Sequence, residues 1–71
     1  MGVFFLSNLK KIRKSIGYSQ GTLSCLSGVS CRAIQAYESG YRDINKAQGL
    51  TLRALAGVLF CRIEDIMEDD D

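Results

Sequence analysis

Arg32 and Gln35 lie three residues apart, between Cys31 and Ser39. Their chemistry is that of base-edge recognition. A guanidinium presents a rigid fork that fits O6 and N7 of guanine, and a carboxamide presents a donor and an acceptor that fit N7 and N6 of adenine. Such groups are useful only when a backbone holds them side by side and pointing outward. At 100° per residue, with Cys31 at 0°, a helix places Gln35, Ser39 and Arg32 at about 40°, 80° and 100°. Ala33, Tyr37 and Ile34 then fall at about 200°, 240° and 300°, on the opposite, core-facing side. One helix over residues 31–39 thus offers a polar reading edge and an apolar anchor.

A neighbouring helix must set that one at an angle. The segment Ser27-Gly28-Val29-Ser30 is short and holds one glycine and one apolar residue. Glycine allows a tight left-handed turn, and Val29 can plug between two helices, as a helix-turn-helix requires. Gly17, Gly28 and Gly40 each close an apolar-periodic stretch, where a left-handed residue is expected. Ser19 and Ser30 follow as N-caps, so the first amides of their helices are available to a cap or to a phosphate. The chain reads as helices at about 7–16, 20–27 and 31–39, a fourth from Asn45 or Gln48 to near 60, and a short fifth around 63–68. There is no proline to break a helix, and no sustained period-2 alternation signals a strand. Glycine at position 49 weakens the first turn of the fourth helix.

The packing of these helices raises two questions. On the first helix Leu6, Leu9, Ile12 and Ile16 form an apolar stripe, and Arg13 falls inside it. A buried arginine requires a partner, and Glu38 sits at the edge of the core face of the third helix. The two form a candidate ion pair tying those helices together; the alternative is that Arg13 snorkels to water. On the fourth helix the expected core stripe holds Ile44, Gln48, Leu52, Leu55, Ala56 and Leu59. A second side holds Leu50, Ala54, Gly57 and Val58. A helix apolar nearly all round is buried all round. Either it is the centre of a tight bundle or its second side is a subunit interface continued by Phe60, Ile63 and Met67. The candidate interface residues are Leu50, Val58, Phe60 and Met67.

Composition narrows the function classes. The 71 residues are 46% hydrophobic and 24% charged, which suits one globular domain over 1–71, with a core at about 6–67 and an acidic tail at 68–71 expected to fray. No apolar run approaches a membrane span, and the apolar start lacks the basic region of a signal peptide, so the expected location is cytoplasmic. The charge is lopsided. Residues 1–42 carry six basic side chains against Glu38 alone, or +5; residues 43–71 carry three against seven acids, or −4, for the overall +1. A basic front with an acidic tail suggests that the front faces a polyanion, ordinary solvated charge being the alternative. With no histidine, no C-x-x-C and an odd cysteine count (Cys25, Cys31, Cys61), neither a metal site nor a disulfide framework is expected, and the thiols read as small half-buried groups. No nucleophile–base arrangement or phosphate-cradling glycine loop points to an enzyme, and no cofactor is expected.

Several spaced motifs occur in order: Leu9-Lys10-Lys11-Ile12-Arg13, Gly17-Tyr18-Ser19-Gln20, Leu23, Gly28-Val29-Ser30, Ile34, Tyr37-Glu38-Ser39-Gly40, Arg42, then Leu55-Ala56, Leu59 and Ile63-Glu64-Asp65-Ile66. Together, over roughly residues 6–67, they resemble the Xre/Cro-like helix-turn-helix family of phage-repressor type. The resemblance implies an all-α, compact five-helix, lambda-repressor-like domain that binds double-stranded DNA and regulates transcription, expected to be a repressor and a homodimer. It implies that Gln20 grips a phosphate and braces the recognition helix, and that Cys31, Arg32 and Gln35 occupy base-reading positions. It places Arg42 and Lys46 on the DNA backbone, and Arg13 with Glu38 as an internal ion pair. Ser30, at the start of the recognition helix, joins the DNA-facing set. The pattern departs at Gly21 and Thr22, where acids are usual, at Ser24, where alanine is usual, at Cys31, a weak donor, and at Phe60, where a glycine usually ends the fourth helix. The rival function is an antitoxin-like or partner-binding module, with a protein partner such as a toxin and secondary DNA binding. A chain this short has no room for a sensory or self-cleaving domain, so control by a ligand requires a partner or more polypeptide.

Overall fold

A computed structural model describes residues 7–68. Leu6 of the first apolar stripe and Asp69–Asp71 of the acidic tail lie outside them. Five helices follow in order: α1 (Asn8–Ile16), α2 (Gln20–Ser27), α3 (Cys31–Ser39), α4 (Gly49–Val58) and α5 (Ile63–Ile66), with a 3₁₀ turn at Ile44–Lys46 before α4. Among the described residues there is no strand, and no helix is long and apolar enough to cross a membrane.

Local chemistry sets the first three helices. Ser7, Ser19 and Ser30 are in extended conformation, and each hydroxyl accepts from the amide three residues on. Each satisfies one of the four amides a helix N-terminus leaves free, worth about 1 kcal/mol. Gly17, Gly28 and Gly40 end the same helices with positive φ. The fourth helix differs. Asp43 holds the 3₁₀ turn by accepting from the Asn45 amide at 3.0 Å, and α4 starts only at Gly49, with no side-chain cap from Gln48. At the far end Phe60 adopts φ 56°, the left-handed conformation that glycine would take there without penalty.

Each helix delivers one fully buried aliphatic side chain to the centre: Leu9, Leu23, Ile34, Leu55 and Ile66. Removing any of them to alanine costs about 2–5 kcal/mol in lost contacts and cavity, so the five fix the relative positions of all five helices. Val29 packs against this core from the turn between α2 and α3. The half-buried Ser24 keeps its hydroxyl near solvent, and no buried side-chain nitrogen or oxygen among the described residues lacks a partner.

Several expectations need correction. Gln48 is exposed, not part of the core stripe, because it is the extended residue before α4 rather than a helical one. Ile44 is buried, but from the 3₁₀ turn. The fourth helix is not enclosed on all sides: Leu50 is 75% exposed and Gly57 is exposed. Ile16, at the end of α1, is exposed rather than part of the buried stripe. Cys25 is exposed rather than half-buried. Cys61 is half-buried, and burial, helped by the charge of Asp65, pushes its thiol up from the ordinary value. The fifth helix stops at Ile66, and Glu68 is not frayed. Its carboxylate accepts from the Asn8 amide at 2.6 Å, and its backbone exchanges two hydrogen bonds with the Asn45 side chain, at 2.7 and 2.9 Å. Asn8 Nδ2 also donates to the Met67 carbonyl. A carboxylate at the amide end of α1 opposes the positive end of that helix dipole.

Candidate nucleic-acid interface

The third helix owes its stance to a buried polar network. Arg13 Nε donates to Glu38 Oε2 at 2.7 Å and its Nη2 to Oε1 at 3.0 Å, with the two side chains 7% and 3% exposed. The remaining Nη1 donates to the Tyr18 carbonyl at 2.7 Å. The hydrogen bond to Glu38, and then its charge, raise the pKa of Arg13 above the ordinary arginine value although burial works against this. Gln20 joins from the first turn of α2, its Nε2 donating to Glu38 Oε1 at 2.9 Å. One carboxylate thus ties together α1, α2 and α3. The Gln20 amide has a second hydrogen, so bracing α3 leaves a donor for an anion outside.

The side of α3 away from Ala33, Ile34 and Tyr37 carries the expected reading edge. Arg32, Gln35 and Ser39 are exposed, while Cys31 is half-buried. Gln35 Nε2 lies 3.7 Å from the Cys31 sulfur, a weak contact because a thiol is a poor acceptor. Ser39 donates its hydroxyl to the Ala36 carbonyl. Ser30 uses its hydroxyl as a cap, accepting from the Ala33 amide at 3.1 Å. As a cap it only accepts, so its own O–H proton remains to be donated.

Beyond α3 the chain turns at Gly40, and the exposed Arg42 guanidinium lies over the Tyr37 ring, 5.6 Å from its centroid. Stacking of this kind holds the charge in place. Next to it, an open cavity of about 390 Å³ runs from the α2–α3 turn to the start of α4. Arg42, Lys46, Ser30, Gln48 and Thr51 are among its lining residues. The structure brings Ser30, Arg42 and Lys46 to one depression, to which α3 contributes Ala33 and Tyr37; Cys31, Arg32 and Gln35 are on the same helix, and Gln20 reaches that helix through Glu38. The sequence reading missed Gln48 and Thr51 here. Their signal was weak, because the angular argument assigned Gln48 to the core. Of the four interface candidates, Leu50 and Phe60 are exposed, whereas Val58 and Met67 are half-buried and Val58 packs on the core.

A five-helix bundle whose second and third helices are joined by a glycine turn, with a polar edge on the third, defines a helix-turn-helix protein. A family model described as helix-turn-helix matches residues 9–66, most of the chain, and the protein belongs to that family, of the Xre/Cro-like kind. Comparisons with curated proteins and with solved structures return no significant match. Membership makes the chain a DNA-binding domain of the kind that regulates transcription; the family is regulatory rather than typically enzymatic.

Proposed function

We propose that this chain is a sequence-specific transcriptional repressor, a single domain acting in the cytoplasm, that reads the major groove with α3 and binds as a homodimer. The observation that carries the reading is that one helix serves two surfaces: α3 exposes Arg32 and Gln35, and through Ala33 and Tyr37 it also lines the cavity edged by Arg42 and Lys46. Arg32 takes a guanine edge and Gln35 an adenine edge, with Cys31 a weak neighbour. Arg42, Lys46, Ser30 and Gln20 meet phosphates, which positions the helix without reading sequence.

A protein-binding microarray gives the preferred site, and titration of that site and of random duplex against salt tests the division of labour. Arg32→Ala weakens the best site by about 1–3 kcal/mol and relaxes one base preference. Arg42→Ala weakens all duplexes alike and flattens the salt slope by about one. No duplex binding at low salt, or two variants with the same profile, overturns the proposal.

The exposed Leu50 and Phe60 also favour a second reading, an antitoxin-like module that seats a protein partner, such as a toxin, on this side. In that case the partner protects Phe60, and DNA binding is secondary.

A further inference from the structure

Tyr41 has no role in the interface so far described, yet it is the most exposed large apolar side chain among the described residues, at 89%. Its backbone is held from both sides. The Gly40 amide donates to the Tyr37 carbonyl at 3.3 Å, the Tyr41 amide to Ser39 Oγ at 3.4 Å, and the Arg42 amide to the Ala36 carbonyl at 3.1 Å. A closed turn therefore carries an aromatic ring into solvent, two residues past Ser39 on the reading edge and directly before the stacked cation of Arg42. A ring on so constrained a support loses little freedom when it meets a partner, and it combines broad contact area with a neutral hydroxyl donor. The neighbouring charge selects the partner. Arg42 follows Tyr41 directly and Lys46 lies four residues further on, while the two acids near this turn, Asp43 and Glu68, each have an oxygen engaged, by the Asn45 amide and the Asn8 amide. Tyrosine hydroxyls are among the donors that meet phosphate oxygens of a duplex.

We propose that Tyr41 is a DNA-backbone contact. Its hydroxyl donates to a phosphate oxygen next to the phosphate that Arg42 meets, and its ring lies against the adjoining sugar. This rests on the DNA reading above and extends it to a neutral, affinity-setting residue. A neutral donor displaces no counterion, so its loss weakens binding without changing the salt slope, unlike the loss of Arg42.

The test is the affinity of the full chain for its best site and for random duplex across a salt series, comparing the parent with Tyr41→Phe and Tyr41→Ala. Tyr41→Ala binds both duplexes about three- to tenfold more weakly, with the parent's salt slope and an unchanged melting temperature. Tyr41→Phe lies between, since it keeps the ring. The chain has three tyrosines and no tryptophan, so tyrosine emission gives an independent readout: duplex changes it in the parent and much less in Tyr41→Phe. A parent that binds duplex while Tyr41→Ala binds equally well overturns this inference and leaves the DNA reading standing. A parent that binds no duplex overturns both. A Tyr41→Ala defect confined to self-association assigns the ring to a contact between copies and overturns the backbone role.

Discussion

Glu38 is the residue on which the reading helix depends most. Its two oxygens receive three hydrogen bonds, two from Arg13 and one from Gln20, and it is buried on the helix proposed to read the groove. Truncating one partner of such a pair leaves the other charge uncompensated. Glu38→Ala is expected to lower stability by about 3 kcal/mol, read as the urea midpoint; for a 71-residue domain that is a large share of the total. Arg13→Met with Glu38→Leu removes both charges and should be more stable than Glu38→Ala alone. A Glu38→Ala protein as stable as the parent would mean that the network carries no net energy. The ion pair was legible in the sequence because an arginine inside an apolar stripe demands an acid, and one acid stood at the edge of the facing helix. That Gln20 braces the reading helix followed only from the family resemblance, and its bond to that same acid was not foreseen. The Asn8–Asn45–Glu68 cluster was not legible: polar partners up to 60 residues apart leave no periodic mark on a sequence.

At the scale of elements, glycine separates the turns from the helices. Gly28 has φ 77°, in the turn that sets α3 against α2. Gly21 and Gly57 are within helices, and a methyl group added there meets nothing closer than 3.8 Å. Substitution to alanine therefore has opposite effects. Gly21→Ala and Gly57→Ala each raise stability by about 0.5–1 kcal/mol through lower entropy of the unfolded chain, whereas Gly28→Ala lowers it by a similar or larger amount because alanine strains at positive φ. Thermal melts of the three variants check this, and Gly28→Ala melting with or above the parent would contradict the turn geometry. The same elements show where sequence reading works. The bounds of α2 and α3 were legible because serine caps and glycine ends mark them. The start of α4 was not. The 3₁₀ turn at Ile44–Lys46 carries apolar and polar residues at spacings that also suit an α-helix, so one angular wheel was drawn through two elements and Gln48 landed on the wrong face.

For the whole molecule, the question is what covers the side of α4 that the bundle leaves open. Leu50 and Phe60 stand 75% and 82% exposed at its two ends, with the exposed Gly57 between them in sequence. Phe60 also sits at φ 56°, so the monomer bears left-handed strain and an exposed ring where glycine would bear neither. A second copy related by a two-fold axis would cover the ring, and two copies would present two α3 helices to half-sites about one turn of DNA apart. Stability and association should then move in opposite directions. Phe60→Gly relieves the left-handed strain and, net of glycine's extra unfolded-state entropy, is expected to stabilise the monomer by on the order of 0.5 kcal/mol, while it weakens self-association and the affinity for paired half-sites. Phe60→Glu abolishes association and leaves the fold intact, since nothing in the core depends on the ring. Sedimentation equilibrium gives the association constants, and melts at low concentration give the monomer stability. A parent that stays monomeric at high concentration would remove the homodimer. A Phe60→Glu protein that still dimerises would move the interface away from the end of α4.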